Sequence, residues 1–81
     1  MTVLLFGVTR DIVGSGSLKI PSKEADGLKT VEDLVTYLKK GFPGLADLTS
    51  MAVAVNQSYA KHRDPIQDTD EIALIPPVSG G

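Results

Sequence analysis

Residues 30–43, "TVEDLVTYLKKGFP", decide how the rest of the chain has to fold. Thr30 as N-cap with Asp33 three residues on makes a capping box, Asp standing where Glu is preferred. Glu32 and Asp33 complement the positive end of the helix dipole, and Lys39 and Lys40 the negative end. Val31, Leu34, Val35, Leu38 and Phe42 recur at helical spacing and form one apolar stripe. Gly41 and Pro43 stop the run. No other segment carries a comparable helical period, and one helix can cover only one face of a sheet.

The flanking segments read as strands. Residues 2–6 are an apolar, β-branched run closed by Gly7, and residues 9–13, "TRDIV", give a single helical turn before the break at "GSGS". "SLKIP" resumes alternation with Leu18 and Ile20 on one face, and Pro21 ends that strand or places it at an edge. The pair makes a β-hairpin with an elaborated connection. "KEADGL" is a polar loop, and "GLADL" after the helix is a further short turn. "MAVAVN" at 51–56 is a compact strand with Val53 and Val55 on one face. "QSYAKHRDP" carries a turn, a short edge strand and a second turn at Asp64-Pro65, and "QDTD" is a third turn. "EIALI" at 71–75 alternates with Ile72 and Leu74 inward, and Pro76 ends the regular structure. The order β-β-α-β-(β)-β predicts a two-layer α+β domain, with the first and last strands apolar enough to be central. The folded domain spans residues 1–76, and residues 77–81 are a tail.

The totals narrow the function. An 81-residue chain makes one domain, and it buries roughly 60% of its unfolded surface. A net charge of −2 argues against a nucleic-acid partner, which requires a strongly basic face. Nothing approaches the about 18 consecutive apolar residues of a membrane span, and "MTVLLFG" lacks the basic lead-in of a signal peptide. The expected location is therefore cytoplasmic. With no cysteine there is no disulfide, no thiolate nucleophile and no sulfur-ligated metal. His62, the single histidine, sits between Lys61 and Arg63 and reads as a solvated surface residue rather than a base or zinc ligand. Gly14-Ser15-Gly16 reads as a hairpin turn and not a phosphate loop. Asp68, Asp70 and Glu71 open a strand without the loop pattern of a calcium site. No metal and no intrinsically bound cofactor are expected.

What remains is the end, "IPPVSGG". Pro76 and Pro77 fix φ and favour an extended path away from the body, and Val78 avoids helix. Gly80 and Gly81 carry no Cβ, so they are the thinnest object a polypeptide can make and suit a narrow tunnel in another enzyme. A frayed end is the plain alternative. A free carboxylate is a poor acyl donor, so chemistry at Gly81 requires prior activation, usually by adenylation.

"VNQ" at 55–57, "TVEDLVTYL" at 30–38 and "PIQDTDEIALIPPVSGG" at 65–81 resemble the small subunits of molybdopterin synthase, a family of ubiquitin-like β-grasp sulfur carriers. The likeness covers essentially the whole chain, and its most specific part is the final run from Asp68 through Asp70-Glu71, Ala73 and Pro76-Pro77-Val78-Ser79 to Gly80-Gly81. A bare Gly-Gly end is shared with ubiquitin and with thiamine and tRNA-thiolation carriers, and the Pro-Pro-Val-Ser lead-in favours the molybdopterin branch. Thr69 departs from it, standing where many relatives carry Gly. The resemblance implies a mixed sheet of four to five strands on one main helix. It implies that a ubiquitin-activating-type adenylyltransferase uses ATP to adenylate Gly81 and that a persulfide sulfurtransferase supplies sulfur to form a thiocarboxylate. It further implies that the tail enters the large synthase subunit, in a heterotetramer of two small and two large subunits, and donates sulfur to the pterin precursor. The catalytic groups then belong to the large subunit. Sulfur carriage for thiamine or tRNA thiolation, and protein modification through an isopeptide bond, are the alternatives.

Partner-binding positions are set by the tail and by strand alternation. Pro77, Val78, Ser79 and Gly80 line the inserted segment, and Ala73 and Ile75 fall on the open face of the sheet. Phe6 and Tyr59 either join Ile75 in one exposed apolar patch, or Phe6 caps the core and Tyr59 is an incidental surface aromatic. Arg10 either pairs with an acid on a partner or stays solvated.

Overall fold

The computed structural model describes residues 1–48 and 50–76. Five strands form one sheet: β1 (Thr2–Leu5), β2 (Ser17–Lys19), β3 (Ala52–Val55), β4 (Ser58–Ala60) and β5 (Glu71–Ile75). Their spatial order is β2-β1-β5-β3-β4. β1 and β5 run parallel, and the other neighbours run antiparallel. The first and last strands, β1 and β5, are neighbours in the interior of the sheet, as expected, and β5 is its middle strand.

The main helix α3 (Val31–Gly41) has the expected cap: Asp33 N–H donates to Thr30 Oγ1 at 3.2 Å, and Thr30 N–H donates to Asp33 Oδ2 at 3.2 Å. Two further N–H groups of its first turn are taken by the 62–64 loop. Val31 N–H donates to the Asp64 carbonyl and Glu32 N–H to the His62 carbonyl, at 3.0 and 2.9 Å. Thus His62 contributes through its backbone, while its side chain is exposed. The buried side of α3 presents Val31, Leu34 and Leu38 to Val3, Leu5, Ile72 and Leu74 of the sheet, all at or below 2% exposure. The register pairs Val3 with Ile72 and Leu5 with Leu74, so these four share the helix-facing side. Val35 and Phe42, the margins of the predicted stripe, are half-buried.

Three short helices differ from the sequence expectations. The turn at 9–13 is a two-turn helix, α1 (Gly7–Val13), which begins directly after β1. The polar loop "KEADGL" overlaps α2 (Ser22–Ala25), and Ala25 and Leu28 from it enter the core. Pro43 opens α4 (Pro43–Ala46), whose Leu45 is fully buried. Each is too short for an apolar stripe to repeat, so a single buried residue is its whole signal. Ile66 is likewise buried in the connection to β5, tied by its N–H to the Lys29 carbonyl at 2.9 Å.

At the start of the chain the Met1 ammonium is tucked into the domain. It donates to Asp68 Oδ1 at 2.6 Å and to the Ile20 carbonyl at 3.0 Å. Asp68 Oδ2 also accepts from the Ser22 hydroxyl. Thr69 lies in this turn, and among the described non-glycine residues positive φ occurs at Asn56 and Gln57, not at Thr69. The turn therefore closes without the left-handed residue that a glycine there would supply.

Candidate functional site

The expected site has two parts, a chain end and a surface beside it. Pro77, Val78, Ser79, Gly80 and Gly81 lie outside the described residues. The surface and the point where the chain leaves it are described.

Strand register builds the surface. On the side away from α3, Ser17 pairs with Leu4, Leu4 with Ala73, Ala73 with Ala54 and Ala54 with Tyr59. This row crosses all five strands without a charged side chain. The next row continues it: Ile75 pairs with Ala52, and Phe6 succeeds Leu5 where Ile75 succeeds Leu74. Phe6 and Ile75 thus end neighbouring parallel strands at the same edge of the sheet. Phe6 is 50% exposed and Tyr59 76% exposed, while Ile75 is half-buried. Ala54 and Ala73 form a low floor between Tyr59 and the Phe6–Ile75 end. In the opposite row, Lys19 and Glu71 flank Thr2.

Val8 is a further exposed apolar side chain at this end, at 39% exposure, and Leu4 lies partly exposed on the same face. Sequence reasoning misses both. Leu4 is legible in the alternation of β1, since Val3 and Leu5 point inward. Val8 is hidden because the sequence places the start of the helical turn at Thr9. Arg10 is exposed, forms no ion pair among the described residues, and lies along Gly16.

Phe6 is held by its backbone. Its N–H donates to Thr9 Oγ1 at 3.0 Å, and the Thr9 hydroxyl donates to the Phe6 carbonyl at 2.6 Å. Thr9 is completely buried, so the hydroxyl side of the clamp is shielded from water.

The side chains with displaced protonation lie elsewhere. Asp68 is held below the ordinary carboxylate value by hydrogen bonds from the terminal ammonium and Ser22, at the other end of β1 from Phe6. Burial and the bond to Glu24 raise the Tyr37 hydroxyl, on the helix layer. Among the described residues, no three metal-ligating side chains gather, and no helix is long and apolar enough to cross a membrane. An uncharged, low-relief apolar face can bind a partner.

The model of the ThiS family matches residues 3–81. The chain is 40% identical to a molybdopterin synthase sulfur carrier subunit of Arabidopsis thaliana, over 98% of this chain and 80% of that one. The crystal structure of SAMP1 from Haloferax volcanii superposes with a TM-score of 0.75 at 26% identity, covering 100% of this chain and 98% of that one. One chain of a complex of subunits 1 and 2 of molybdopterin-converting factor from Helicobacter pylori superposes with a TM-score of 0.64 at 25% identity, covering 99% and 96%.

Proposed function

The chain belongs to the ThiS family, and from that premise we propose that it is the sulfur carrier of molybdopterin synthesis. The observation that carries this reading is the near-complete match to a sulfur carrier subunit at 40% identity, inside a family match that runs through Gly81. The uncharged face agrees with it, because it offers a docking surface.

The chemistry belongs to the Gly81 carboxylate. Its oxygen attacks the α-phosphorus of ATP on an adenylyltransferase, releasing pyrophosphate and leaving an acyl adenylate. The outer sulfur of a persulfide then displaces AMP at the carbonyl carbon, and a second thiol cleaves the resulting S–S bond to leave a thiocarboxylate. Adenylation is needed because AMP is a far better leaving group than an oxide. The charged tail, from Pro77 to Gly81, enters the large synthase subunit, where its sulfur attacks the pterin precursor and water releases the carboxylate. Two such transfers supply the two sulfurs of a dithiolene. The acid–base groups for these steps sit on the large subunit, and the carrier acts as a co-substrate. Phe6, Ile75 and Tyr59 form the docking face for the large subunit, in keeping with the two-subunit complex of the Helicobacter pylori relative. The cytoplasm, where ATP and reduced thiols are available, is the proposed location.

Incubation with ATP, the adenylyltransferase and a persulfide donor tests this reading by intact mass. Exchange of one oxygen for sulfur at Gly81 is expected, and deletion of Gly81 abolishes it without moving the melting temperature. Absence of the exchange in the intact chain rejects the carrier reading. A second reading, protein modification, is favoured by the likeness to SAMP1, a small archaeal modifier protein. That reading gains if the activated chain appears instead as covalent adducts on the lysines of other proteins.

A further inference from the structure

Because β1 and β5 are parallel, the corner where β1 turns into α1 stands beside the point where the chain leaves β5. Gly7 occupies that corner with φ +54°, a conformation that side chains rarely adopt. A Cβ built on Gly7 would come within 3.0 Å of Pro76 Cγ, closer than the ring can accept without moving. The corner is also rigid, since buried Thr9 bonds both backbone polar groups of the preceding residue, Phe6. The last described residue of the chain therefore rests on a clamped backbone, in a gap that exists because residue 7 has no side chain.

The geometry points to the Phe6–Gly7 corner as a seat that sets the direction in which the chain end departs, with Gly7 as a positioning residue for sulfur transfer. This inference rests on the sulfur-carrier reading. The ring fixes φ of Pro76, and the proline that follows it in the sequence restricts its ψ to extended values, so a shift of Pro76 changes the direction in which the chain leaves it. Five further residues reach at most about 17 Å, so a rotation of about 5° at Pro76 displaces the tip by at most about 1.5 Å. Displacements of this size at a reacting atom cost up to about a hundredfold in rate. Gly7 touches no reacting group, so its effect should fall on transfer and leave docking alone.

The test uses the full-length thiocarboxylated chain with the large synthase subunit and pterin precursor. Gly7→Ala should slow single-turnover transfer about tenfold, while Kd for the large subunit stays within about twofold. Pro76→Ala removes the atom that the new Cβ would meet, so in the double variant Gly7→Ala/Pro76→Ala the part of the lost rate that comes from this contact should return, while the strain of a side chain at φ +54° remains. An unchanged transfer rate for Gly7→Ala, a loss confined to Kd, or purely additive effects in the double variant would each overturn the seat. If the unaltered carrier transfers no sulfur to the precursor, the carrier reading fails instead. The seat is then decided by residual dipolar couplings of the Val78 amide: a change in Gly7→Ala upholds it, and identical couplings reject it.

Discussion

Thr9 is a hydroxyl with no exposed surface, and both of its hydrogen bonds are spent on one residue's backbone. Replacing it with the isosteric valine leaves the Phe6 N–H and carbonyl without those bonds. Thr9→Val should therefore cost about 1–3 kcal/mol in urea unfolding, with Thr9→Ser recovering most of it. Asp68 offers a second residue-level test, through pH. Its folded value lies below the ordinary 3.8 because hydrogen bonds from the terminal ammonium and Ser22 favour the carboxylate. The contribution is therefore fully present above 3.8 and fades as pH falls from there through the lower folded value. Thermal unfolding of Asp68→Asn between about pH 5 and about pH 2 should show a shallower loss than the unaltered chain; parallel curves would remove Asp68 as the cause. Neither feature is legible in the sequence. A threonine in a polar-looking turn gives no sign of its burial, and Asp68 reads there only as part of a polar turn.

At the level of elements, the β3–β4 hairpin carries visible strain. Asn56 and Gln57 both have positive φ, 51° and 70°, as a two-residue turn of the primed type requires. Asn56 suits the conformation and is fixed further by its side chain, which donates to Asp70 and accepts from Glu71 N–H, each at 3.0 Å. Gln57 has no such compensation. Gln57→Gly should stabilise the protein by roughly 0.5–1 kcal/mol in chemical denaturation, since glycine adopts this conformation without steric cost. The elements legible in the sequence are those long enough to show a period: α3 with its cap, and strands whose alternation marks an inner face. Ile72 and Leu74 read correctly because each has a polar or small neighbour beside it. The helices α1, α2 and α4 escape or are foreshortened because four to seven residues barely complete a repeat. Ile66 lacks even that, being one apolar residue between polar turns.

For the whole molecule, the parallel pairing of β1 with β5 has the largest functional consequence, and no local sequence signal announces it. It brings Phe6 to the Ile75 end of the sheet and sets both beside the exit of the chain. The open face is readable in part: alternation assigns Ala73 and Ile75 to it, but the joining of Tyr59 through Ala54 depends on the register of three strands. Ile75→Lys should preserve the fold, as the residue lies outside the helix-facing core, yet weaken large-subunit binding by about 2 kcal/mol or more in titration calorimetry. Normal binding would remove Ile75 from the interface. The central claim is that the folded body docks and aims, while the chain end carries the sulfur. Its most direct test is one turnover of the thiocarboxylated chain with the large subunit and pterin precursor, tracking both products by mass. Conversion of the carrier to its carboxylate form, matched by sulfur gained in the pterin and blocked by Gly80→Val, is the predicted result. Sulfur retained on the carrier, or equal transfer by the Gly80→Val variant, would contradict the account.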